Sequence, residues 1–171
     1  MPIQRLNHAV LYVRDAERSA DFYGQVLGFR RIAMAETMSG AIFMQAPGST
    51  NDHDLGLFSV GDRPGPGGIG LYHLAWEVDT LDELERIGRA LSDAGALTGA
   101  SDHGTTKALY GKDPDGIEFE VSWLLPKELV DDAAVEARSR IGRLDLASEK
   151  ARYGADTEGG VGVSHTVNEP R

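Results

Sequence analysis

The chain contains no cysteine, which excludes disulfides and removes thiolates from any metal site it could build. It has no apolar run approaching the roughly 20 residues that a membrane-spanning helix needs. Its opening residues, Met1 to Arg5, lack a basic stretch followed by an apolar one, so no signal peptide is expected. These absences lead us to expect a cytoplasmic protein with no membrane partner. Positive charge is also scarce: 17 basic side chains face 27 acidic ones, for a net charge of −10. Phosphate-rich partners require a basic patch, so nucleic acid is excluded as a partner. Beyond Arg30-Arg31 no cluster of Lys or Arg offers itself to a strongly anionic substrate. The acidic surplus reads as solubility.

What is present is enough for one domain: 171 residues, 41% of them hydrophobic. The organising feature is repetition, which is best sought before local detail. Leu6-Asn7-His8-Ala9-Val10-Leu11-Tyr12-Val13-Arg14-Asp15 opens the first half, and Leu71-Tyr72-His73-Leu74-Ala75-Trp76-Glu77-Val78-Asp79-Thr80 opens the second. Each is strand-like, carries a histidine near its start and ends on a residue able to cap a helix. The first helix is predicted from Ala16 to about Val26, with Phe22, Tyr23, Val26 and Leu27 at helical spacing and Gly28 as its stop. The second runs from Leu81 to Ala94, with Leu84, Ile87, Ala90 and Leu91 buried and Gly95 ending it.

Three strands are predicted after each helix: 29–35, 41–45 and 54–60, then 97–100, 106–110 and 117–123. Asp113-Pro114-Asp115-Gly116 reads as a turn between the last two. Each half is therefore β-α-β-β-β. Module one spans 5–60, a Gly/Pro-rich link 61–70, and module two 71–124. From Pro126 a charge-rich, helix-compatible segment extends to about Tyr153 and a polar, Gly-rich tail follows, so 126–171 is read as a helical extension and tail. The class is α+β, with both modules contributing to one curved, open-barrel-like mixed sheet.

Strand side chains alternate between faces. Leu11 and Val13, Leu74 and Trp76, and Phe119, Val121 and Trp123 form apolar faces suited to covering helices. His8, His73 and Glu120 all lie on the opposite faces. On the residues alone, two readings stand. Each could be an ordinary hydrogen-bonded or solvent-facing side chain. Alternatively, the matched histidines and the carboxylate make a three-ligand metal face with open positions.

These same residues resemble a family. Asn7-His8-Ala9-Val10, Ser19-Ala20-Asp21-Phe22-Tyr23, Val26-Leu27-Gly28-Phe29, Tyr72-His73-Leu74-Ala75 and Asp113-Pro114-Asp115-Gly116-Ile117-Glu118-Phe119-Glu120-Val121 resemble the vicinal oxygen chelate superfamily over about residues 5–124. That superfamily includes glyoxalase I, extradiol dioxygenases, fosfomycin-resistance enzymes and bleomycin-binding proteins. The resemblance implies paired modules around a metal, with His8, His73 and Glu120 on the ligand positions, and a homodimer. Glyoxalase I typically adds a fourth ligand from the last strand of the first module, where this chain offers Leu57 or a neighbour and no carboxylate.

The stretch from Ser101 to Tyr110 resembles the part of extradiol dioxygenases in which a histidine and a tyrosine flank the substrate. Asn51-Asp52-His53-Asp54 resembles a further His-bearing segment of that group. The implied activity is cleavage of a catechol-type ring by Fe(II) and dioxygen. His103 is the implied proton shuttle, Tyr110 a hydrogen-bond donor to substrate, and His53 a supporting hydrogen bond. Mn(II), Ni(II) or Zn(II) would suit the same ligands. The other readings are a thiol transferase, a glyoxalase-like lyase or epimerase, and a metal-free small-molecule binder. Met34, Met38, Phe43 and the C-terminal segment are expected to help form the substrate cavity.

Overall fold

The computed structural model of the chain describes residues 8–32, 40–49, 53–62, 73–137 and 140–160. The expected link over 63–70, Met34, Met38, Asn51, Asp52 and the tail beyond 160 lie outside the described residues. The chain divides into two compact units: Met1–Gly70 with Asp113–Gly116, and Leu71–Lys112 with Ile117–Arg171.

The first unit follows the order β1 (Ala9–Val13), α1 (Ala16–Leu27), β2 (Arg30–Ile32), β3 (Ala41–Gln45) and β4 (Leu55–Ser59). Its strands form one sheet in the order β1-β4-β3-β2, with β1 parallel to β4 and the other pairs antiparallel. The Asp15 carboxylate starts α1 by accepting from the Glu17 and Arg18 amides. Gly28, with φ of 77°, ends it in a left-handed turn that a side chain would strain. Leu11 and Val13 on one face of β1 are buried, as are Ala20, Tyr23 and Leu27 of α1, while Val10 and Tyr12 on the other face of the strand stay exposed. The alternation expected for this strand is therefore observed. Tyr23 is fully buried and its hydroxyl faces Asp113 at 3.4 Å. Desolvation, reinforced by that carboxylate, pushes the phenol's pKa well up.

The second unit repeats this plan with β5 (Leu74–Glu77), α2 (Leu81–Asp93), β6 (Leu97–Asp102), β7 (Thr106–Lys112) and β8 (Glu118–Leu124). Its sheet order is β5-β8-β7-β6, again with the first and last strands parallel. Thr80 caps α2 by accepting from the Glu83 amide at 3.1 Å. Leu81, Leu84, Ile87 and Leu91 form the buried stripe of that helix, against Phe119, Val121 and Trp123 of β8. Burial of each such side chain is worth roughly 1.5–3 kcal/mol.

The α+β class, the two β-α-β-β-β modules and the C-terminal helix are as expected. The strands hydrogen-bond as two four-stranded sheets and not as one continuous sheet. The extension is also not one long helix. After Pro126 come a single 3-10 turn (Lys127–Leu129), α3 (Asp132–Ala137) and α4 (Leu146–Tyr153). Between the last two, Gly142 exchanges both backbone hydrogen bonds with Asp102 of β6, a strand-like pairing that a helix could not offer. Among the described residues no helix is long and apolar enough to cross a membrane.

Candidate metal and acid–base site

Both repeat histidines occupy the residue immediately before the first strand of their unit, His8 ahead of β1 and His73 ahead of β5. In the second unit the strand register completes the picture. Ala75 lies opposite Glu120 in the parallel β5–β8 pair, and Tyr110 lies opposite Glu120 across β7–β8. His73 Nε2 stands 3.5 Å from Glu120 Oε2, and the other carboxylate oxygen accepts from the Ser122 hydroxyl at 3.0 Å. The Glu120 side chain is only 14% exposed. An imidazole nitrogen and a carboxylate oxygen at this separation suit a shared cation. Adjacent ligands at bonds of about 2.1 Å stand roughly 3 Å apart around one ion. The donor set therefore fits a divalent metal.

On the same face, the Tyr110 ring lies edge-on to His73 with centroids 6.3 Å apart. The Tyr110 hydroxyl is 3.2 Å from His103 Nε2, and Ser101 Oγ is 2.8 Å from that nitrogen and 3.1 Å from the phenol oxygen. Sequence reading placed His103 and Tyr110 here through the resemblance but missed Ser101. A ring nitrogen either donates or accepts, so the three short contacts cannot all be hydrogen bonds in one protonation state. Each hydroxyl can donate or accept, so the pair can orient to whichever role the ring nitrogen takes. The group is thus able to take up a proton and pass it on. The signal that could have found Ser101 is its place two residues before His103, on the strand that pairs with that of Tyr110.

In the first unit the His8 and His53 rings lie against each other at a 43° tilt, with centroids 4.4 Å apart. Phe43 meets the His53 ring edge-on at 5.1 Å, so it flanks the histidine pair. Asp54 fixes the segment that presents His53: its carboxylate accepts from Ser49 Oγ at 2.7 Å and from the Ala46 amide at 2.9 Å. His53 Nδ1 is buried without a hydrogen-bond partner among the described residues.

The register also narrows one expectation. Val10 pairs with Gly56 as Ala75 pairs with Glu120, so of Leu57 and its neighbours the residue answering to Glu120 is Gly56. Leu57 is fully buried. A Cβ at Gly56 would lie 3.4 Å from both Phe43 and Val10, so apolar side chains border the position where the second unit has its carboxylate. Among the described residues no group of three His, Asp or Glu is gathered to hold a metal. The expected triad divides between the units, with His8 in one and the His73–Glu120 pair in the other.

A β-α-β-β-β plan present twice, with a histidine just ahead of the first strand of each copy and a carboxylate beside one of them, defines the class of the fold. The Glyoxalase/Bleomycin resistance protein/Dioxygenase superfamily model matches residues 5–121, and the chain belongs to that superfamily. Its members are mostly enzymes, bind divalent metals, act on small molecules and are commonly dimers. The chain is 29% identical over 141 residues to a lactoylglutathione lyase of Neisseria meningitidis, covering 75% of this chain and 95% of that protein. It is also 29% identical over 122 residues to a catechol-2,3-dioxygenase of Bacillus subtilis, covering 68% of this chain and 40% of that one. A solved glyoxalase/dioxygenase from Nostoc punctiforme, 22% identical, shares the fold with a TM-score of 0.59 over 70% of this chain and 90% of its own.

Proposed function

We propose that the protein is an extradiol dioxygenase that cleaves the ring of a small aromatic diol with Fe(II) and dioxygen. The observation that carries this reading is the hydrogen-bonded Ser101–His103–Tyr110 group on the face that holds His73 and Glu120. Fe(II) held by His8, His73 and Glu120 would supply redox chemistry and open coordination positions. The protein's own residues handle the protons. His103 Nε2 accepts one proton from a diol hydroxyl, a transfer suited to an imidazole near neutral pH. Tyr110 donates a hydrogen bond to a substrate oxygen and, with Ser101, returns the proton to the cleaved product. His53, beside His8 in the first unit, offers a supporting hydrogen bond, and Phe43 flanks that pair. Both oxygen atoms enter the product, and the bond broken lies beside the two hydroxyl-bearing carbons.

Anaerobic loading with Fe(II), followed by a panel of catechols and oxygen, tests this reading. A ring-cleaved chromophore is expected, and its absence across the panel would sink the reaction. A second reading, a lactoylglutathione lyase, is favoured by the similarity to the Neisseria protein over nearly its whole length. Gly56 weighs against it, since the resemblance implies a fourth ligand there. Turnover of lactoylglutathione by the Ni(II)- or Zn(II)-loaded protein, without ring cleavage by the Fe(II) form, would decide for the lyase. The same preparation should sediment as a homodimer.

A further inference from the structure

Lys107 is the least expected side chain in the second unit. It sits on β7 among apolar neighbours, opposite Trp123 of β8, and is 1% exposed. A leucine there would pack with no desolvation cost, whereas a buried ammonium must be paired. Lys107 Nζ is paired twice. It lies 2.6 Å from Asp102 Oδ1 on β6 and 2.8 Å from Glu149 Oε2 on α4, with the Tyr153 ring 5.6 Å away.

Asp102 is the pivot. The same oxygen that meets Lys107 accepts from the Gly104 amide at 2.8 Å. The Asp102 backbone exchanges both of its hydrogen bonds with Gly142. Asp102 stands between Ser101 and His103, and the turn it holds, with His103 N–H donating to Thr106 C=O at 2.9 Å, presents the His103 ring to Tyr110. The segment that supplies Glu149 and Gly142 lies beyond Val121, where the family model ends.

That segment is anchored independently of the hairpin. Lys150 on α4 reaches Asp82 at 2.6 Å and Glu85 at 2.9 Å on α2. Trp123 Nε1 donates to Thr157 C=O at 3.2 Å. Gly159 packs where a Cβ would fall 2.1 Å from the Leu124 carbonyl oxygen. A buried ion pair is weak evidence of stability, but it fixes one arrangement against its alternatives. We infer that the C-terminal segment is a positioning device for the β6–β7 hairpin, in which Glu149 and Lys107 hold Asp102 so that Ser101, His103 and Tyr110 keep their mutual geometry. This inference rests on the reading of His103 and Tyr110 as working groups.

The test uses the full-length, metal-free protein with labelled histidine, and the variants Glu149→Ala, Glu149→Gln, Lys107→Met and Lys150→Ala. Glu149→Ala and Lys107→Met should speed exchange of the Gly104 amide roughly tenfold or more and shift the His103 imidazole signals. Glu149→Gln, which keeps a neutral acceptor, should fall between them and the unmodified protein. Lys150→Ala loosens the same helix at its α2 anchor while leaving Glu149 in place, and should move both readouts less than Glu149→Ala does. Exchange within about twofold of the unmodified protein with unshifted His103 signals would overturn the inference, and so would an equal response in Lys150→Ala. If Lys107→Met does not fold, the two Glu149 variants decide. These readouts need no turnover. Moved signals in a protein that cleaves no ring would remove the dioxygenase reading alone, and unmoved signals in an active dioxygenase would remove the positioning role alone.

Discussion

The two units share one strand order and one helix placement, yet they are unequally equipped. The second brings His73, Glu120, Tyr110, Ser101 and His103 onto one face of one sheet. The first, at the matched places, brings only His8 and, from a loop, His53. The sharpest contrast is at the last strand of each, where Glu120 in one is Gly56 in the other. The packing plan is the same in both copies, while the polar side chains gather in one. At position 56 the Phe43 ring stands 3.4 Å from where a Cβ would lie, so the first unit presents an apolar surface where the second presents a carboxylate.

The largest effect should come from removing the carboxylate that only the second unit owns. Glu120→Ala should lower Fe(II) affinity by on the order of 100-fold or more and abolish turnover, as read by metal content after dialysis. Retention of iron at wild-type level would show that Glu120 is not a ligand. Next, His103→Ala should leave iron bound while lowering kcat by about 10²–10⁴. Loss of iron in that variant would make His103 a ligand and not an acid–base group.

Making the units alike is a smaller perturbation. Gly56→Glu forces a side chain against Phe43 and Val10 and should cost about 1–3 kcal/mol, measured by urea unfolding. A stability equal to the parent's would show that the first unit is as ready for a carboxylate as the second.

The smallest effect belongs to the first unit's core. The phenol of Tyr23 is raised above its ordinary value of 10.0 by burial and by Asp113. Its folded form therefore stays neutral while the unfolded chain ionises, so this contribution is intact below about pH 10 and is lost as pH rises further. Tyr23→Phe should flatten the decline in stability between pH 10 and 11, and an unchanged slope would refute the assignment.

Much of this was legible because it is local or repeated. Asp15, Thr80 and Gly28 mark helix ends through bonds made within a few residues. His8 and His73 stand out because the chain says the same thing twice. What could not be read depends on register or on distant partners. The counterpart of Glu120 could be read only as Leu57 or a neighbour, because the parallel pair that singles out Gly56 forms between strands far apart in sequence. Ser101 meets Tyr110 only after β6, with a register shift between Leu97 and Gly99, settles against β7. Lys107 looks like a solvent-facing strand residue until Glu149 arrives from the extension. That extension reads as one helix, yet the Asp145 carboxylate caps a new one and Gly142 is drawn into strand pairing.

In both units the first strand pairs with the last: Ala9 with Leu55, and Leu74 with Phe119. Neither sheet can be completed by hairpins alone, because its closing contact spans almost the whole module. Such distant pairings form slowly, and His73 and Glu120 approach each other only through one of them. A chain emerging during synthesis therefore has no carboxylate beside His73 until β8 has been made and docked. The pairing of His73 with Glu120 therefore marks a finished second module.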